Sequence, residues 1–95
     1  MIYRLILVIR HAAAMYRNLI RPRNLSKGGW HGSDIHELRR MMRREVEEFD
    51  AALWAHETDK GSWQDVVSEG ADVSNFVAMI SDRAKMYSMG TVNDD

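Results

Sequence analysis

The chain has 95 residues, 45% of them hydrophobic, and a formal charge of −1. That length makes one domain, residues 1–95, with a thin core for its size, and the balanced charge excludes a general attraction to nucleic acid or membrane. The absence of cysteine excludes disulfides, thiolate catalysis and cysteine-bound zinc, and fits a reducing cytoplasm.

From Ile2 to Leu19 there is neither glycine nor proline, and Arg4, Arg10 and Arg17 interrupt apolar clusters at near-helical spacing. This predicts a first helix, although Ile6 to Ile9 alone would also suit a short strand. The start superficially resembles a signal peptide. Its uninterrupted apolar run is only Leu5 to Ile9, shorter than the roughly 7–15 residues such a segment needs and far short of a membrane span, so it is read as part of the fold. Ile2, Leu5, Ile6, Val8 and Ile9 spread over more than one helix face. Two partner helices in a monomer cannot cover them, which predicts a homo-oligomer, a dimer or tetramer.

Pro22 and Gly28-Gly29 bracket a polar, basic stretch that reads as a loop. Ser33 or Asp34 can cap the next helix, with Glu37 near the capping-box position, and that helix should run to about His56. Glu57 to Gly61 is turn-like, with Gly61 suited to the position just past the helix end. Ser62 can cap a third helix, with Asp65 three residues later, running to about Met89 before Gly90 and a polar tail from Thr91 to Asp95. The expected architecture is all-α, a short bundle of three helices.

Two pairs of carboxylates stand out on the long helices. Glu45-Val46-Glu47-Glu48 reads E-x-x-E and Glu69-Gly70-Ala71-Asp72 reads E-x-x-D, each pair one turn apart on a common face. At 100° per residue, Ile35, Leu38, Met42, Phe49 and Leu53 share an apolar stripe with Glu45 inside it and Glu48 at its edge. On the third helix Val66, Val73, Phe76, Val77 and Ile80 form a stripe with Glu69 inside and Asp72 at the border. Glu47, Asp50, Arg39, Arg40 and Arg43 fall on the solvated side. Inward carboxylates cost several kcal/mol unless something positive sits beside them. An arginine would serve for one; two matching pairs on successive helices point to a shared cation, and all-oxygen ligation selects Mg²⁺ or Mn²⁺.

E-x-x-E, about twenty residues, then E-x-x-D on two facing helices resembles the signature of the MazG-like all-α nucleoside triphosphate pyrophosphohydrolases. The run from Glu69 to Phe76 with Met79-Ile80-Ser81-Asp82 is similar to phage-encoded members described as dATP/dGTP diphosphohydrolases, the MazZ-type enzymes among them. The likeness covers roughly Lys27 to Arg83. One departure is Arg44, which stands where the family pattern often has a first of two adjacent glutamates. The resemblance implies a bundle completed by oligomerisation and a metal-dependent cleavage of a deoxypurine triphosphate, dGTP or dATP, to monophosphate and pyrophosphate. In a phage, that reaction would supply dGMP for 2-aminoadenine nucleotide synthesis.

In that reading two or three ions are held by Glu45, Glu48, Glu69 and Asp72, water attacks the α-phosphorus in line, and Glu48 by preference takes the proton, with Glu45 beside it. Lys27, with Arg21 and Arg23, is a candidate for the phosphates, Trp30 for stacking on the base, and Asn75 and Arg83 extend the acidic edge of the third helix toward the substrate. No Glu-x-x-His and no Walker-type loop occurs. The rival reading is a non-enzymatic helical interaction or regulatory protein with an incidental acidic patch.

Overall fold

The computed structural model describes residues 1–21 and 34–88, all in helices and the turns at their ends. Three α-helices occur among them: α1 (Ile2–Leu19), α2 (Ile35–Glu57) and α3 (Trp63–Ser88). Ser33 as a cap, Met89 and Gly90 as the final helix end, and the whole loop with Arg23, Lys27 and Trp30 lie outside the described residues.

Side chains cap the two long helices as their sequence suggests. Asp34 is extended (φ −64°, ψ 128°) and its carboxylate accepts the His36 N–H at 2.9 Å, satisfying one of the amides that a helix start leaves unpaired. Glu37 does not complete a capping box; it pairs with Arg40 one turn along. Ser62 Oγ accepts the Asp65 N–H at 3.2 Å and opens α3.

The end of α2 differs from expectation. The left-handed residue is Asp59 (φ 60°), not Gly61. The Lys60 N–H reaches back to the Ala55 carbonyl at 2.8 Å and the Asp59 N–H to that of His56 at 3.2 Å, the paired bonds of a Schellman turn. Gly61 is needed for closeness instead: a Cβ there would lie 2.9 Å from the Cβ of Ala55. The tight reversal sets α3 antiparallel to α2.

α3 is the central element, with α2 packed on one side and α1 on another, and among the described residues no Cα of α1 comes within 8 Å of one in α2. The buried apolar set is correspondingly thin: Ala14, Leu38 and Ala71. Phe49, Val66, Val73, Phe76 and Ile80 are half-buried, whereas Leu53 and Val77, expected in the stripes, are exposed. With only two helices facing each other the contact strip is narrow. Beyond Phe49 it passes through Ala52 and Ala55, which leaves Leu53 on its flank.

Polar bonds do much of the docking of α1. The Asn75 amide donates to the Met15 carbonyl at 3.1 Å, and His11 Nε2 lies 2.6 Å from Ser74 Oγ. The first nine residues of α1, Ile2 to Arg10, are all exposed. Ile2, Leu5, Ile9, Tyr16 and Ile20, at 44–66% exposure, run along its outer side, opposite buried Ala14 and Asn18. No helix among the described residues is long and apolar enough to cross a membrane.

Candidate metal centre

Glu45 and Glu48 come from successive turns of α2, and Glu69 from the facing turn of α3. Between them the Phe49 ring lies on Gly70, so the two helix backbones approach closely at the level of the acids. Each glutamate places one carboxylate oxygen within 4.8 Å of the other two. Glu48 is exposed while Glu45 and Glu69 are half-buried, so the cluster has a dry inner side and an open outer one.

Glu45 Oε2 and Glu69 Oε2 are buried and have no hydrogen-bond partner among the described residues. A buried acceptor left unpaired costs about 1–3 kcal/mol, and more when charged. Burial pushes the Glu45 carboxyl up to about 7, helped by a hydrogen bond with Glu48 and by the charges of Glu48, Asp72 and Glu69. Glu69 is raised by burial first, then by the charges of Glu48 and Asp72, a hydrogen bond with Glu48 and the charge of Asp65. Every one of these described neighbours is an acid, and such a cluster is relieved by taking up protons or by sharing a cation.

The donor set fits a hard divalent cation. Three carboxylates offer oxygen ligands only, which suits Mg²⁺, Mn²⁺ or Ca²⁺ and disfavours zinc or copper. The two orphaned inner oxygens are the atoms such an ion would satisfy. Arg39, Arg40, Arg43 and Arg44, which could have neutralised the acids, lie on the exposed side of α2.

Asp72 lies outside this group of three. Its Oδ1 accepts a hydrogen bond from the Asn18 amide at 2.8 Å, across the α1–α3 contact. Asn75, a candidate for the substrate, is 5% exposed and turned to α1, with its Oδ1 buried and without a partner among the described residues. Arg83 is half-buried on α3, about 16 Å along the helix axis from Asp72. Lys27 and Trp30 fall outside the described residues, so the structure brings together three of the residues named from sequence.

Asn18 escaped the reading of the sequence. The available signal was an amide in the last turn of the first helix, one turn after Ala14 and two after His11, on the side that packs. A groove of about 340 Å³ between α2 and α3, lined by Ile35, Met42, Val77 and Ile80 with His36 and Arg39 at its rim, contains no carboxylate. It is separate from the centre.

No family model, curated protein or solved structure matches the chain. The geometry therefore stands on its own residues.

Proposed function

We propose that the protein is a metal-dependent nucleoside triphosphate diphosphohydrolase. The observation that carries this is the trio Glu45, Glu48 and Glu69, with two inner oxygens that are buried and have no partner among the described residues. A hard divalent cation bound there supplies positive charge against phosphate oxygens and makes water nucleophilic at neutral pH. Glu45 and Glu69 form the dry half of the ligand set. Glu48, at the open side, is the carboxylate best exposed to accept a proton from water as it adds across the α–β phosphoanhydride, giving a monophosphate and pyrophosphate.

The spacing E-x-x-E then E-x-x-D, similar to the MazG-like enzymes, supports the reaction class, with two or three Mg²⁺ or Mn²⁺ ions. Preference for dGTP or dATP, and a role in supplying dGMP, rest on that likeness alone, as does work in a host cytoplasm. The outward apolar side of α1 supports assembly of a dimer or tetramer in which a second copy covers Ile2, Leu5 and Ile9.

The same apolar side favours a second reading, a helical interaction protein whose acids bind metal incidentally. A panel of nucleoside triphosphates assayed for pyrophosphate release separates them. Release that stops with chelator and returns with Mg²⁺ or Mn²⁺ belongs to the enzyme; no release from any nucleotide leaves the interaction protein.

A further inference from the structure

Asn18 is 3% exposed in the contact of α1 with α3. Its Nδ2 donates to the Ser68 carbonyl at 2.9 Å and to Asp72 Oδ1 at 2.8 Å. Carbonyl and carboxylate only accept, so the chemistry orients the amide: turned over, it would press its own oxygen against two others. An aliphatic side chain would have filled this place with nothing to desolvate. Ser68 and Asp72 lie one turn apart on α3 and flank Glu69, so a single amide ties a backbone carbonyl to the acid beside the cluster. The charge of Asp72 is felt by both Glu45 and Glu69, which places it near the trio although outside it.

We infer that Asn18 is a positioning residue of the metal centre: by holding Asp72 beside the three glutamates it supplies the fourth carboxylate and makes cation affinity depend on the docking of α1. This rests on the metal-centre reading above. By linkage the dependence is mutual, and a bound cation tightens α1 against α3 by the same factor. Partners that orient ligating carboxylates typically change metal affinity by about 10- to 100-fold.

The test is a titration with Mn²⁺ alone, following the free ion by electron paramagnetic resonance, on the full chain and four variants. Glu69→Gln should abolish binding. Asn18→Leu should weaken it about 10- to 100-fold. Asp72→Asn, which keeps an acceptor for Asn18 but loses the charge, should weaken it at least as much. The double variant should bind no worse than Asp72→Asn if the effect of Asn18 on the cation runs through Asp72. In the parent chain Mn²⁺ should also slow amide exchange along α1, and in Asp72→Asn it should not.

Unchanged affinity in Asn18→Leu, or losses that add in the double variant, would overturn the inference while Glu69→Gln still upholds the centre. If Glu69→Gln binds Mn²⁺ normally, the centre and the inference fall together. Asn18→Ala, a smaller change that also removes the donor, gives the same comparison if Asn18→Leu loses its helical circular dichroism.

Discussion

The ring of Phe49 lies against the backbone of Gly70, so that a Cβ there would meet Cε2 at 3.2 Å and Cδ2 at 3.5 Å. Phe49 follows Glu48 and Gly70 follows Glu69, which makes this contact the spacer that sets how closely the acids of α2 and α3 approach. Gly70→Ala gains about 1 kcal/mol in helix propensity and loses a similar amount in crowding the ring. Its melting temperature should stay near that of the parent while Mn²⁺ affinity falls, because a few tenths of an ångström between the helices matter to a ligand set and little to a thin core. Equal affinity in calorimetric titration would show that the acids are not held by this contact.

Divalent metal should raise the melting temperature, since binding to the folded state alone stabilises it in proportion to the logarithm of metal concentration. Glu45→Gln and Glu69→Gln should each remove that rise and cut turnover by more than about 100-fold, beyond what loss of a supporting residue produces. Both should remain helical. A melting curve indifferent to millimolar Mn²⁺ would count against a shared site.

The pH dependence has a definite sign. Glu45 is raised from 4.5 to about 7 in the fold, and Glu69 is raised as well. Between those values the folded protein keeps a proton that the unfolded chain has lost, so this contribution to stability is complete below 4.5 and disappears as pH rises through about 7. Melts in chelator should fall between pH 5 and 8 over about that window. With Mn²⁺ the trend should flatten or reverse, because ligating carboxylates must first lose their protons. A metal-free protein that gains stability over the same interval would contradict the burial of these acids.

The outer side of α1 distinguishes a monomer from an assembly. Ile9 is 58% exposed, and on a monomer Ile9→Glu at such a site changes stability by no more than about 0.5 kcal/mol. If a second copy covers it, the substitution should lower the mass seen by light scattering and reduce pyrophosphate release together. A parent chain that is monomeric and fully active at assay concentration would remove this reading.

The turn between α2 and α3 gives a paired prediction. Asp59→Gly relieves the only left-handed non-glycine residue among those described and should stabilise by a few tenths of a kcal/mol to about 1 kcal/mol. Gly61→Ala drives a methyl group to 2.9 Å from Ala55 and should destabilise. Thermal melts of the two variants should therefore move in opposite directions.

Periodicity made Glu45, Glu48 and Glu69 legible, because a polar group on an apolar face is visible in any helical projection. Ser62, and Asp34 as one of two candidates with Ser33, were also readable as caps, since their chemistry is local. What periodicity does not carry is the identity of the neighbour. Asp72 lies at the border of two faces of α3, and the partner that draws its Oδ1 is Asn18, 54 positions earlier. Asn75 shows the same limit: its register places it near the acids, but α1 takes its amide. Leu53 and Val77 share the angular position of core residues yet emerge exposed, because a stripe in sequence is wider than the strip two helices can bury against each other. Asp59 took the left-handed position because the turn closes two residues sooner than the glycine suggested.

The bonds that seat α1 join residues 50, 54, 60 and 63 positions apart, whereas α2 and α3 meet across a turn closed by bonds over a few residues. Contacts distant in sequence are slow to form because the intervening chain must first be brought to closure. The α2–α3 hairpin should therefore assemble early as one cooperative unit and α1 should arrive last, making it the first segment to open in the native protein. Such an order would let the three glutamates meet before Asp72 is restrained, and if they hold a cation, a newly made chain would take it weakly at first and gain its final grip only when α1 settles.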